Sequence, residues 1–214
     1  MPSRVRESLR FLATFVRNPG SVGAVLPSSR PLAERLVAGL RPRPGDVVLE
    51  YGPGTGPVTA VIDQVLGRHT GVRYLGIELN GGFIDVLRQR YPHLDFVHGS
   101  VVDVRDHLAR HGLERAHTII SGLPFASLPR EVQAGTIAGI VEVLAPGGEF
   151  RTFQYVHAYR LPAARRFRGM MAAHFPAYER SPAVVRNIPP AYVLTYRRRE
   201  GAAESPGRVS ELSP

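Results

Sequence analysis

The sequence predicts an α/β fold: a mostly parallel seven-stranded sheet with helices on both faces, an N-terminal amphipathic helix and a C-terminal antiparallel hairpin. Three observations carry this expectation. Short β-like runs alternate with helical runs between residues 47 and 155, a glycine-rich turn follows the first of them, and two late β-like runs are joined by Asn187-Ile188-Pro189-Pro190.

Taken in order, residues 3–17 read as a helix because Val5, Leu9, Leu12 and Val16 recur at helical spacing, with Arg4, Arg6, Arg10 and Arg17 mostly off that stripe. Asn18-Pro19-Gly20 stops it. A second helix starts at the Ser28-Ser29 cap and runs through Leu32, Leu36 and Leu40 to the breaker at residues 41–45. The β-like runs that follow are Val47–Tyr51, Tyr74–Glu78, Phe96–His98, Thr118–Ser121 and Glu149–Tyr155. Between them lie helical runs at Val58–Gly67, Gly82–Tyr91, Val104–His111 and Val132–Leu144. A basic helical stretch extends to about His174, and Tyr178–Arg186 with Ala191–Arg197 closes the sheet edge. The tail 201–214 is small and polar, and disorder is expected there.

Composition narrows the chemistry. No cysteine is present among the 214 residues, which removes disulfides, cysteine-ligated zinc and thiol nucleophiles. All 27 basic residues are arginine, which removes lysine chemistry and leaves the planar fork that grips phosphate. No run approaches the roughly 18–20 apolar residues of a spanning helix, so a cytoplasmic protein is expected. Charge is uneven. Residues 1–43 hold 8 Arg and 2 acids, 44–150 hold 8 Arg and 12 acids, and 151–200 hold 10 Arg and 2 acids. The division drawn from this is a basic helical arm over 1–43, a ligand-binding domain over 44–200 and a tail over 201–214. Basic flanks suit an anionic partner, either nucleic acid or a membrane surface.

Ligand chemistry is written in the first turn. Val47–Tyr51 feeds Gly52-Pro53-Gly54-Thr55-Gly56-Pro57, a strand, a glycine loop and a helix with proline at its first position. A dinucleotide fingerprint would put its third glycine where Pro57 stands, and a phosphate loop would need Gly-Lys-Ser/Thr. Glu50 directly precedes the loop and would repel a pyrophosphate but attract an ammonium. Glu78 lies about where an acid meets a ribose diol in nucleotide-binding α/β folds. The pattern asks for a ligand with a ribose, a cationic end and no phosphate.

The E-x-G-x-G-x-G run with an acid ending the second strand resembles the Rossmann-like class I methyltransferases, which use S-adenosyl-L-methionine (SAM) and release S-adenosyl-L-homocysteine. The resemblance implies that Glu50 lies near the methionine end and that Tyr51, Gly52, Gly54 and Gly56 line the cofactor. It further implies that Glu78 and Leu79 meet the ribose. Ser100 and Val101 stand where the family often has an acid beside adenine, and Ser121 is counted with them among the cofactor contacts.

Ser121-Gly122-Leu123-Pro124-Phe125 occupies the place of the Asn/Asp-Pro-Pro-Tyr loop of amino-directed methyltransferases. With residues 18–30, Phe153-Gln154-Tyr155 and Arg186-Asn187-Ile188-Pro189-Pro190-Ala191, it is similar to the bacterial phospholipid N-methyltransferases, relatives of the rRNA adenine dimethylases. That likeness implies methylation of phosphatidylethanolamine toward phosphatidylcholine by a peripherally attached enzyme, with residues 3–17 lying on the membrane or packed on the protein's own core. On this reading Ser121, Gly122, Leu123, Pro124 and Tyr155 form the catalytic set, and Arg17, Arg30, Phe125, Tyr155, Arg186 and Asn187 the substrate contacts. No histidine spacing suggests a metal. The alternatives are an RNA adenine N6-methyltransferase, a small-molecule N- or O-methyltransferase, and a noncatalytic binding protein of the same fold.

Overall fold

The computed structural model describes residues 28–175 and 178–201. The expected helix at 3–17, Arg17 and the tail from 202 onward lie outside the described residues. Seven strands form one sheet: β1 (Val47–Tyr51), β2 (Arg73–Glu78), β3 (Asp95–His98), β4 (Ala116–Ser121), β5 (Leu144–Tyr155), β6 (Tyr178–Arg180) and β7 (Ala191–Arg197). Their order is β3-β2-β1-β4-β5-β7-β6, with β1 to β5 parallel and β7 antiparallel to both its neighbours. This is the fold that the alternation predicts.

The sheet is covered on both faces, so its central strand reads as a continuous buried run rather than an alternating one. One face packs Leu49, Ile119 and Phe150 under α4 (Val104–Arg110), α5 (Arg130–Val143) and α6 (Pro162–Ala172). The other packs Val48, Ile120 and Phe153 under α1 (Arg30–Val37), α2 (Pro57–Leu66) and α3 (Gly81–Arg90). Strand order reverses between β1 and β4. A crevice for ligands therefore opens at the carboxyl ends of the strands.

Three expectations change. The charge-based boundary at residue 43 is not a packing boundary, because α1 belongs to the domain. Leu32, Ala33, Leu36 and Val37 are buried, and the buried Arg151 side chain donates to Leu36 O at 2.9 Å and Ala38 O at 2.7 Å, capping the end of α1 a turn short of Leu40. The late hairpin is shorter than its β-like run suggests. Pro182 lacks the N–H for a ladder and Ser181 Oγ takes the Val193 N–H at 3.0 Å, so β6 ends at Arg180; beyond it the pairing keeps one backbone bond, Ser181 N to Val193 O at 2.9 Å, and the Val184–Ala191 bridge. At the other end, β5 starts at Leu144 rather than Glu149, with a register shift against β4 between Ala116 and Thr118.

Candidate functional site

Four loops meet at the carboxyl rim. In the first, Gly52, Gly54 and Gly56 take φ of +66°, +59° and +87°, values an L side chain resists, and Gly56 caps α2 with Pro57 at its first position. A Cβ on Gly54 would meet nothing within 4 Å, so the loop faces open space. Glu78 ties this loop to the next. Its Oε2 accepts from Gly54 N at 2.9 Å and its Oε1 from Asn80 N at 2.8 Å, while its carbonyl accepts from Gly99 N at 2.9 Å. Burial raises its pKa, and the backbone N–H groups oppose that shift. A carboxylate has about four acceptor positions, so Glu78 retains capacity for a diol.

Glu50 is fully buried. Its Oε2 accepts from Tyr74 OH at 2.5 Å and Thr59 Oγ1 at 2.8 Å, and Oε1 has no donor among the described residues. Loss of hydration outweighs these two bonds and pushes the carboxyl up to about 7. In the unfolded chain the same group ionises near its ordinary value of 4.5. The native state therefore keeps a proton that the unfolded state has lost, and stability falls as pH rises from about 4.5 to about 7, then levels. We expect Glu50→Gln to remove that slope. By pH 8 it gains up to roughly 3 kcal/mol relative to its difference from wild type at pH 4. Urea unfolding of both proteins across this range measures it, and parallel profiles would refute it.

Ser100 and Val101 lie at the third loop, but not as exposed contacts. Ser100 Oγ accepts from Val102 N at 3.2 Å, and the Val101 side chain is in the core. His107, which sequence reasoning does not single out, organises this loop. Its ring sits 3.0 Å from Ser100 O through Nε2, and a Cβ on Gly99 would come within 2.6 Å of it. Burial lowers its pKa, so the neutral ring donates from Nε2 and holds the loop without adding charge. A polar residue between the buried Val104 and Leu108 of α4 is the available signal.

The fourth loop follows β4. Gly122 N donates to Tyr51 O at 2.9 Å, a Cβ on Gly122 would lie 2.8 Å from Gly52 O, and one on Gly52 would lie 2.5 Å from the Leu123 side chain. The two loops therefore touch. Ser121 is buried, with Oγ accepting from Leu123 N at 3.2 Å, and Leu123 and Pro124 are half-buried at the rim. Gln133 of α5, another residue that sequence reasoning passes over, donates from Nε2 to Phe125 O at 2.5 Å and Leu128 O at 3.0 Å, fastening the far end of the loop. Its only signal is a polar side chain among the apolar positions of that helix.

Three expected contacts are corrected by burial. The Phe125 ring is fully buried, stacked on Phe167 at 4.6 Å and edge-on to Phe150 at 5.9 Å, so it is core and not substrate-facing. The Tyr51 ring is likewise core, and it is its carbonyl that reaches the rim. Asn187 is an anchor: Oδ1 accepts from Ser29 N at 3.0 Å and Nδ2 donates to Pro189 O at 2.6 Å. Arg30 is exposed and pairs with Glu34 at 2.8 Å, an i,i+4 contact of little energetic weight. Tyr155 ends β5 half-buried against Phe153 and His157, and burial raises its pKa, which keeps the phenol a donor rather than a base. Leu79 is half-buried, and its carbonyl lies 3.0 Å from His98 Nε2. Arg186 is exposed and has no ion pair among the described residues. Also among the described residues, no three His, Asp or Glu groups converge as a metal site, and no helix is long and apolar enough to cross a membrane.

No family model matches the chain. It is 34% identical over 150 residues to the ornithine lipid N-methyltransferase of Singulisphaera acidiphila, covering 68% of this chain and 77% of that protein. A shorter stretch of 88 residues is 36% identical to ribosomal RNA small subunit methyltransferase A of Geobacter metallireducens, covering 39% of this chain and 30% of that one. Among solved structures, the 1,6-didemethyltoxoflavin-N1-methyltransferase of Burkholderia thailandensis, with bound 1,6-didemethyltoxoflavin and S-adenosylhomocysteine, superposes with a TM-score of 0.62 at 21% identity, over 94% of this chain and 91% of that one.

Proposed function

Because the chain belongs to the bacterial lipid N-methyltransferases within the class I SAM-dependent methyltransferases, we propose that it methylates the amine of an aminophospholipid, phosphatidylethanolamine, at an anionic membrane surface. The observation that carries the lipid reading is the match to a lipid N-methyltransferase over 68% of the chain.

The rim fits the cofactor. Space is open over Gly54, the Glu78 carboxylate keeps free acceptor positions, and Glu50 Oε1 is a buried acceptor without a donor among the described residues. Gly52, Gly54 and Gly56 would line it, Glu78 would take the ribose hydroxyls, and Glu50 would lie toward the ammonium end. When bound, SAM supplies an electrophilic methyl on a sulfonium. The chain's task is to bring a neutral amine into line with it. Residues 121–125 carry no charged side chain. Such a loop gives an ammonium no counter-charge, so the lipid amine is favoured in its neutral form, its proton passing to water. A neutral amine held there would be the nucleophile for the methyl that bound SAM would supply, with S-adenosylhomocysteine as the leaving group. Tyr155, at the end of β5, serves as a donor that orients the headgroup. Arg186 is the cation suited to the lipid phosphate.

A second reading, methylation of an ornithine-headed lipid, is favoured by the same relative. Incubating the protein with methyl-labelled SAM and liposomes holding either lipid, with ribosomal RNA in parallel, tests both. Label is expected in phosphatidylethanolamine; label only in the ornithine lipid would move the substrate, and label only in RNA would overturn the lipid reading. In the same assay Arg186→Ala should raise the lipid KM about ten-fold, the order of one charge-assisted contact, with SAM affinity unchanged. A loss of SAM affinity would remove Arg186 from the lipid site.

A further inference from the structure

The two most exposed large apolar side chains of the described residues lie three positions apart on one loop: Val185 at 72% and Ile188 at 75% exposure. The loop is closed at its stem. Val184 and Ala191 exchange both backbone hydrogen bonds, at 2.8 and 3.4 Å, and Asn187 N donates to Val184 O at 3.3 Å. The buried Asn187 side chain pins the loop to the N-cap of α1. A loop this well fixed does not expose valine and isoleucine for want of structure. It also stands at the carboxyl rim, since Ala191 pairs with Tyr155 and Val156 N donates to Pro190 O at 2.8 Å. The turn after Tyr155 continues to exposed Arg160 and to Leu161, itself 52% exposed.

Charge selects what covers this surface. No acid occurs from Arg180 through Arg199, a span holding five arginines. Arg186, between the two apolar residues, has no counter-ion among the described residues, and it shares a groove with Glu34 and Arg35 of α1; Glu34 is already paired with Arg30 at 2.8 Å, and the exposed Arg35 has no ion pair among the described residues, so the groove keeps a net positive charge. Apolar side chains projecting from a cationic rim match a bilayer, with an acyl region below and anionic phosphates at the level of the guanidinium.

We infer that the loop 184–191 is a membrane wedge: Val185 and Ile188 enter the acyl boundary of an anionic bilayer while Arg186 stays at phosphate depth, seating the carboxyl rim on the lipid surface. This rests on the lipid reading for the identity of the surface. It assigns the docking to a folded element of the domain, separate from residues 3–17.

The chain contains no tryptophan, so one introduced indole reports alone. Ile188→Trp in the full chain is mixed with phosphatidylglycerol/phosphatidylcholine vesicles carrying brominated acyl chains; Val86→Trp, on α3 at a site 48% exposed, is the comparison. The expected result is a blue shift of the Ile188→Trp emission with at least a two-fold loss of intensity, while the Val86→Trp emission stays solvent-like. Solvent-like emission from Ile188→Trp protein that co-sediments with the vesicles overturns the inference, and so does absence of vesicle binding. The double variant Val185→Ser/Ile188→Ser should lose about ten-fold in methyl transfer to vesicle lipid and less than two-fold toward a monomeric short-chain aminolipid. Equal loss on both substrates overturns the wedge. If the indole introduced at position 188 inserts but no aminolipid is methylated, the substrate reading fails and the wedge stands.

Discussion

Glu78→Ala is expected to lower the affinity for S-adenosylhomocysteine at least 100-fold, a loss that calorimetry would read directly. Two separate losses add up. The carboxylate accepts from Gly54 N and Asn80 N, at 2.9 and 2.8 Å, so removing it leaves two half-buried N–H groups unpaired and frees the glycine loop from the end of β2. On the proposed cofactor placement it also removes the acceptor for the ribose hydroxyls. Hydrogen bonds to a charged group contribute roughly 1.5–3 kcal/mol each, and about 2.8 kcal/mol already corresponds to 100-fold. Glu78→Gln keeps one acceptor oxygen and should fall between the two. An alanine variant that folds and binds within ten-fold of wild type would remove Glu78 from the cofactor site.

The second large effect comes from a residue with no side chain. Gly122→Ala should lower kcat for methyl transfer by about 30–100-fold, the scale of a sub-ångström to 1 Å misplacement of reacting groups. The added methyl would lie 2.8 Å from Gly52 O, a backbone atom of the glycine loop that cannot rotate away. The loop after β4 must therefore move off, taking Ser121, Leu123 and Pro124 with it. Affinity for S-adenosylhomocysteine should change less than five-fold, so the loss appears in turnover. Gly169→Ala in α6, where a Cβ meets nothing within 4 Å, is the neutral control. Unchanged kcat in Gly122→Ala would show that the two loops separate during turnover.

Much of the site is legible from the chain because its signals are local. The glycine loop after a buried strand, Pro57 at a helix start, an acid ending β2 and the Ser29 cap each follow from neighbouring residues, and the structure forms all four as read. Alternation yields the layer architecture for the same reason. What local pattern misassigns depends on partners far along the chain. Phe125 reads as a loop aromatic until α6 and β5 close over it. Asn187 reads as a headgroup contact until Ser29, 158 residues earlier, donates to it.

Periodicity, turn chemistry and composition act over a few residues, and they are enough to set the succession of strands and helices along the chain, the glycine loop after β1 and the acids beside it. Which polar groups stay available to a ligand is settled by how the elements pack against one another. Burial and pairing commit Glu50 Oε2 to Tyr74 and Thr59, His107 to the Ser100 carbonyl and Gln133 to the end of the β4 loop, while Arg186, Val185 and Ile188 are left facing outward. Hydration is lost or kept according to what the fold packs against each group, and that packing is set across the whole sheet.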